Sequence, residues 1–356
     1  MTVPVEGPVL VVGSGLLGAS VGLALRRAGV RVWLDDIDAD ALAVAVERGA
    51  GEPWQPDCGA PRIVVVAVPP ASAGAVMAAA ASEYDVTVTD VTSVKGAPLD
   101  AAVAAGGDPV RLVGGHPMAG REMSGPAAAR TDLFDDRPWV ITPLQKSASD
   151  RVQQVIDLAR TCGAVPFVMD PQAHDAAVAL TSHAPQVISS LLAARLLQAD
   201  PEAVSVSGQG LRDMTRIAES DAVLWQEILA ANAESVAEVL EAFGDDLQRV
   251  IADLRSGDGS DVSRVLTSGA LGRERVPGKH GDAATAYDVV TAIVRDEPGE
   301  LARLFVAAGQ LGVNLEDVRI DHVLGKPSGL IELSVRPDVS GRLREGLVDL
   351  GFDVRA

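Results

Sequence analysis

Short apolar runs alternate with longer alanine-rich stretches through the first part of the chain. The runs Val9–Val12, Arg31–Leu34, Ile63–Val68, Val86–Asp90 and Leu112–Gly114 predict strands, with Trp139–Thr142 and Val165–Val168 following. Between them, Leu17–Ala28, Ala39–Arg48 and Ala71–Ala81 have the composition and length of helices. Continuously apolar strands separated by helices predict an α/β, doubly wound parallel sheet covered on both faces. Residues 1–170 are assigned to this domain, with Pro171 as its boundary.

The pattern then changes. Between Gln172 and about Leu254 the alternation disappears and apolar residues recur at helical spacing, as in Asp221–Phe243, which predicts an all-helical domain over 171–256. Residues 257–284 are rich in Gly, Ser and charge, and read as a linker with one short helix near Val262–Leu266. The remaining 285–356 return to mixed structure. Strands Val289–Arg295, Val318–Val323, Gly329–Val335 and Phe352–Arg355 and helices Gly299–Leu311 and Gly341–Leu350 give the order βαββαβ. Aromatics make up only 3% of the chain, so Ala, Val and Leu must fill these cores.

Charge narrows the partners. With 49 acidic and 30 basic residues the formal charge is −19, which repels nucleic acid and anionic membranes at long range. Two cysteines offer neither a disulfide framework nor a zinc cluster, and no metal is expected. Without a leader-like N-terminus or an uninterrupted apolar run of the roughly 18 residues a membrane helix needs, the chain reads as cytoplasmic.

The candidate chemistry begins at Gly13-Ser14-Gly15-Leu16-Leu17-Gly18, directly after the first strand and opening a helix. Glycines there permit a tight turn and bring backbone N–H groups to a pyrophosphate, which the helix N-terminus also attracts. Asp36, or its neighbour Asp35, closes the second strand where a carboxylate would bond the ribose hydroxyls of NAD. No arginine immediately follows to receive a 2′-phosphate, so NAD is expected over NADP, on a Rossmann-type domain. Val68 and Pro69 are assigned to the same cofactor site. A dehydrogenase also needs a proton acceptor. His116, in Gly114-Gly115-His116-Pro117-Met118-Ala119-Gly120, is a candidate, since an unperturbed imidazole titrates near ~6.5; on the residues alone a loop histidine before a proline is an equal reading.

Several segments together resemble the prephenate/arogenate dehydrogenase family. They are the glycine loop, Asp90-Val91-Thr92-Ser93-Val94-Lys95, His116-Pro117-Met118-Ala119-Gly120, Thr181-Ser182-His183 and Leu211-Arg212-Asp213-Met214-Thr215-Arg216-Ile217-Ala218, continued by Trp225 and Asn232. The resemblance implies that His116 accepts the proton of a C4 hydroxyl, that Ser93 positions that hydroxyl, and that Arg216 binds a substrate carboxylate. It also implies that Ser182 lines the pocket and that Glu122 lies near the arginine. The sequence departs from many prephenate-type members at Gln186, where they carry a histidine, and at Arg121, where a small residue is usual. Gln186 can donate and accept, so both prephenate and arogenate stay open as substrates. The other histidines are weaker candidates: His174, His280 and His322 read as solvated or capping residues, and His183 as a packing residue. The family also implies a homodimer formed through the helical domain.

Residues 286–356, with Asp296-Glu297-Pro298-Gly299 and Gly312-Val313-Asn314-Leu315, resemble the ACT domain, an amino-acid-sensing fold. That implies an aromatic amino-acid effector near Asp296, Gly299 and Asn314; a purely dimerising module is the other reading. Two rivals to the enzyme reading are a β-hydroxyacid dehydrogenase and a regulator that binds NAD without turnover. The first usually relies on a helical lysine, and Gln172–Leu254 contains none. The second leaves His116, Ser93 and Arg216 together unexplained.

Overall fold

The computed structural model describes residues 5–120, 124–276, 287–322 and 328–355. They form two compact units that divide at Gly244.

In the first unit the predicted strands become β1 (Val9–Val12), β2 (Val32–Asp35), β3 (Glu52–Pro53), β4 (Ile63–Val66), β5 (Thr87–Asp90), β6 (Leu112–Pro117), β7 (Pro138–Pro143) and β8 (Val165–Val168). They lie in one sheet of order β3-β2-β1-β4-β5-β6-β7-β8. Side chains alternate between faces along each strand. Val9 and Val11 of β1 join Leu25, Leu34, Val65 and Ile141 on one side, while Leu10 joins Trp33, Val64, Met77 and Val88 on the other. Helices α1 (Leu16–Arg27), α2 (Ala39–Glu47), α3 (Pro70–Glu83), α4 (Gly96–Ala104) and α5 (Ser149–Thr161) cover these faces.

The sheet is mixed where a parallel one was expected, because β6 and β7 pair antiparallel. A parallel return needs a crossover, usually a helix, and the segment between β6 and β7 shows only the short 3₁₀ turn Pro126–Ala128 among its described residues. The chain therefore comes back alongside β6. This pairing runs from Val113 to Pro117, so His116 sits inside a strand, opposite Val140, and not on a loop.

The helical part comprises α6 (Pro171–Val178), a π-turn (Ala179–His183), α7 (Ala184–Arg195), α8 (Pro201–Ser205), α9 (Gln209–Thr215), α10 (Ala222–Ala231) and α11 (Ala233–Ser256). Pro171–Gln198 is long and apolar enough to cross a membrane by length and composition alone. Its buried side nevertheless carries His174, Asp175, His183, Gln186 and Ser189, which marks a helix packed around polar groups.

The second unit holds a 15-residue helix, α12 (Ser260–Glu274), across the stretch expected to be mostly linker. The buried Asp253 of α11 explains it, because its carboxylate accepts from the N–H groups of Gly259 and Val262 and so caps the new helix from outside its own sequence. The final residues form β9 (Asp288–Arg295), α13 (Glu300–Gln310), β10 (Asp317–His322), β11 (Ser328–Val335), α14 (Pro337–Asp349) and β12 (Asp353–Arg355). This is the expected βαββαβ order, in an antiparallel sheet β10-β11-β9-β12. Gly329, Ile331, Leu333 and Val335 alternate inward along β11, and the last three pack with Leu304, Leu343 and Leu347 of the two helices.

Candidate active site

The glycine loop joins β1 to α1 with a separate duty for each glycine. Gly13 has φ of +101°, and a methyl group there would collide with the carbonyl of Ala67. A methyl group on Gly18 would strike the carbonyl of Gly13, so that glycine lets the helix close onto the turn. Gly15 faces open space, leaving its backbone approachable by a ligand. The Gly13 N–H donates to the backbone oxygen of Asp35 at 2.8 Å, and the Ser14 N–H donates to the Asp36 carboxylate at 2.5 Å. Asp36 is thus the side chain that reaches the loop, whereas Asp35 contributes main chain. The Ser14 hydroxyl is buried with no hydrogen-bond partner among the described residues. Leu16 and Leu17 open α1, Val68 lies against Gly13, and Pro69 caps α3. An open glycine face, an unpartnered hydroxyl and a carboxylate at the end of β2 fit a dinucleotide.

Ser93 and His116 come from the C-terminal ends of the neighbouring strands β5 and β6, the edge of an α/β sheet where ligands bind. Gly115, just before the histidine, is clamped through both its main-chain N–H and its carbonyl by a buried ion pair. Asp90 Oδ1 accepts from the Gly115 N–H at 3.1 Å, and Lys95 Nζ donates to the Gly115 carbonyl at 2.5 Å while also pairing with Asp90. Lys95 and Asp90 are fully buried. Burial pulls the Lys95 pKa down, opposed by Asp90 and then Asp175.

His116 Nδ1 lies 2.8 Å from His174 Nε2, and His174 Nδ1 lies 2.8 Å from Asp175 Oδ1. His174, expected to be solvated or capping, is therefore wholly buried and in line behind the candidate base. No sequence spacing announces this, since α6 meets β6 only in the folded chain. The Asp175 carboxylate also accepts from the backbone N–H groups of Lys95 and Gly96, each at 2.8 Å, and so sits at the N-terminus of α4. Burial would raise its pKa, but the hydrogen bonds from His174, Gly96 and Lys95 hold it below the ordinary carboxylate value. An ionised Asp175 fixes the His174 proton on Nδ1, leaving His174 Nε2 to accept. His116 must then donate from Nδ1, and its Nε2 carries the lone pair a general base needs. Burial, followed by His174, Lys95 and His183, pushes the His116 pKa well below that of a free imidazole, so the ring is neutral at physiological pH.

The remaining candidates lie on the helical side. Ser182 is half-buried in the π-turn, a geometry that re-aims side chains within a helix. His183 is buried, accepts from Asn232 Nδ2 at 3.2 Å and packs edge-on against Trp225. Burial pushes its pKa down to about 4, with His174 adding and Asp175 opposing, which fits a packing residue. Asn232 also donates to the Asp175 carbonyl at 2.8 Å, tying the end of α10 to α6. Gln186 is buried on α7, its amide 3.5 Å from the Ser190 hydroxyl. Arg216 begins the 3₁₀ turn Arg216–Ala218, which packs on α7. Arg121, Glu122 and His280 lie outside the described residues, as does the side chain of His322. A cavity of about 500 Å³ touches Met118, Ala119, Gly120, Arg130 and Arg137, but none of the expected substrate residues lines it.

Comparison with known proteins agrees with this layout. The prephenate dehydrogenase nucleotide-binding domain matches residues 21–168, and the prephenate dehydrogenase dimerization domain matches residues 170–268. The chain is 37% identical to the probable prephenate dehydrogenase NovF of Streptomyces niveus, over 94% of this chain and 96% of that protein. Prephenate dehydrogenase from A. aeolicus, crystallised with hydroxyphenyl propionate and NAD+, superposes with a TM-score of 0.68 at 28% identity, over 77% of this chain and 98% of that one. Synechocystis arogenate dehydrogenase shares the fold, with a TM-score of 0.65 at 24% identity over 76% of this chain and 99% of that one. A dinucleotide-shaped loop, a tautomer-fixed histidine at the sheet edge and a near full-length relative converge, and the chain belongs to the prephenate dehydrogenase family of NAD-dependent oxidoreductases.

Proposed function

We propose that this protein oxidatively decarboxylates prephenate to 4-hydroxyphenylpyruvate in tyrosine biosynthesis. The observation that carries the reading is the His116 imidazole, held by His174 and Asp175 so that Nε2 is free to accept a proton. The glycine loop and Asp36 would hold NAD, which when bound would supply the acceptor for the hydride that leaves C4. His116 Nε2 takes the C4 hydroxyl proton as the carbonyl forms, with Ser93 orienting that hydroxyl. The ring carboxylate departs as CO2, its bonding electrons complete the aromatic ring, and the phenolate oxygen left at C4 takes a proton back from His116 Nε2. Arg216 holds a substrate carboxylate, a task suited to its planar fork of donors, while Ser182 and Glu122 belong to the same pocket. Arogenate is the second reading, favoured by Gln186: a buried neutral amide can face either the keto or the amino group of the substrate side chain. Comparing kcat/KM for prephenate and arogenate, followed by NADH absorbance, decides between them. Turnover of neither would overturn the assignment.

The domain roles follow as part of the same proposal: 1–170 binds cofactor, 171–256 binds substrate and dimerises, 257–284 connects, and 285–356 regulates. Exposed Leu180, Leu191, Leu197 and Val223 on the helical part support a homodimer. The βαββαβ unit supports an ACT-like module. Its Gly299, at φ of +95°, starts α13, and its Asn314 donates to Glu316 at 3.0 Å; the turns carrying Asp296, Gly299 and Asn314 are the proposed site of an aromatic amino acid. Isothermal titration with aromatic amino acids tests this; no heat from any of them rejects sensing.

A further inference from the structure

We propose that His116 passes a proton onward: as its Nε2 accepts the substrate proton, its Nδ1 proton moves to His174, and the positive charge comes to rest on the His174–Asp175 pair. This step rests on the proposed dehydrogenase reading but makes a separate claim about where the proton resides. Both transfers run along hydrogen bonds already in place. His116 Nδ1 and His174 Nε2 are 2.8 Å apart, and His174 Nδ1 and Asp175 Oδ1 are 2.8 Å apart. The substrate O–H bond breaks and a proton bonds to His116 Nε2. The His116 Nδ1–H bond breaks and the same proton bonds to His174 Nε2. His116 is left neutral in its other tautomer, and His174 becomes an imidazolium facing a carboxylate. When Nε2 gives its proton to the phenolate oxygen left by loss of CO2, the His174 proton returns and the starting tautomers are restored.

The surroundings favour charge on the second ring over the first. Around the two rings stand Lys95 and Asp90 from the β5 side, His183 from the π-turn and Asp175 from α6. Lys95 and His183 both disfavour a proton on His116, as does burial. His174 has Asp175 in direct contact, held in place by two backbone N–H groups. The charge therefore moves away from the first ring, and from the substrate's developing carbonyl, toward the only carboxylate in contact with either ring among the described residues.

His174→Gln separates relay from positioning. A glutamine amide can accept from His116 Nδ1 and donate to Asp175, keeping the tautomer, yet it cannot take up a proton. Imidazole nitrogen NMR of the full-length protein, followed on acidification, should show the first proton of the pair on His174 while His116 stays neutral. In H174Q, kcat should fall at least tenfold with KM little changed, and the acid limb of the kcat profile should move. Protonation of His116 Nε2 with His174 unaltered in the wild-type protein would overturn the relay, as would an H174Q variant that keeps both kcat and the acid limb. The wild-type spectrum alone decides the matter if H174Q does not fold. Should neither prephenate nor arogenate turn over, the substrate reading fails while the ring titration still answers for the relay.

Discussion

The first compact unit and the βαββαβ module of the second bury different kinds of side chain. In the first, Asp90, Lys95, His174, Asp175, His183 and Gln186 are all buried between the sheet and the helices. In the second, the described interior of the βαββαβ module is aliphatic apart from Phe352, and its ion pairs, such as Arg303–Glu300, lie at the surface. Buried charge is expensive to desolvate, and a well-packed apolar core of the same volume is often as stable or more so. Its concentration around one histidine therefore marks where selection kept chemistry ahead of stability. The module meets no such demand in its core, so any ligand it takes must be read at its turns and edges.

The largest effect that sharpens this contrast is catalytic. His116→Asn should lower kcat by roughly 10²–10⁴-fold while leaving NAD binding nearly intact, measured by steady-state NADH formation and cofactor titration. Near wild-type turnover would remove His116 from the mechanism. Next comes the clamp behind it. Lys95→Met leaves Asp90 buried without its partner and should destabilise the first unit by about 3–5 kcal/mol. All four tryptophans, Trp33, Trp54, Trp139 and Trp225, precede Gly244, so their fluorescence in urea reports that unit alone. An unchanged midpoint would show that the buried pair contributes nothing. The smallest effect belongs to the other core. Leu333→Ala should cost about 2–5 kcal/mol, as for other buried leucines. It should shift a far-ultraviolet dichroism transition while leaving the tryptophan transition where it was. A shift of both together would show that the units unfold as one, and the contrast would lose its thermodynamic meaning.

The features legible in the sequence are those with local causes. Gly13, Gly18 and Asp36 act within one strand–turn–helix unit, and the inward alternation along Ser328–Val335 is written in consecutive residues. What escaped depends on partners distant in the chain. His174 looks unremarkable because its neighbour His116 lies on another element. A short helix near Val262–Leu266 is legible, but the full length of α12 is not, because Asp253, outside it, provides its cap. The antiparallel turn of β7 cannot be read from strand composition, although the lack of a helical pattern between Pro117 and Pro138 carried a hint. Asp90 and Lys95 are the two ends of one short sequence motif, but only folding shows that they grip the N–H and the carbonyl of Gly115.

The pairing of β6 with β7 has a consequence for how the enzyme ages and fails. A base carried on a mobile flap must be gathered afresh at each turnover, whereas this imidazole is stitched into a ladder opposite Val140 and is in place before any small molecule arrives. Warming should abolish catalysis in step with the opening of the β6–β7 pair, and amide exchange at His116, opposite Val140, would serve as its clock.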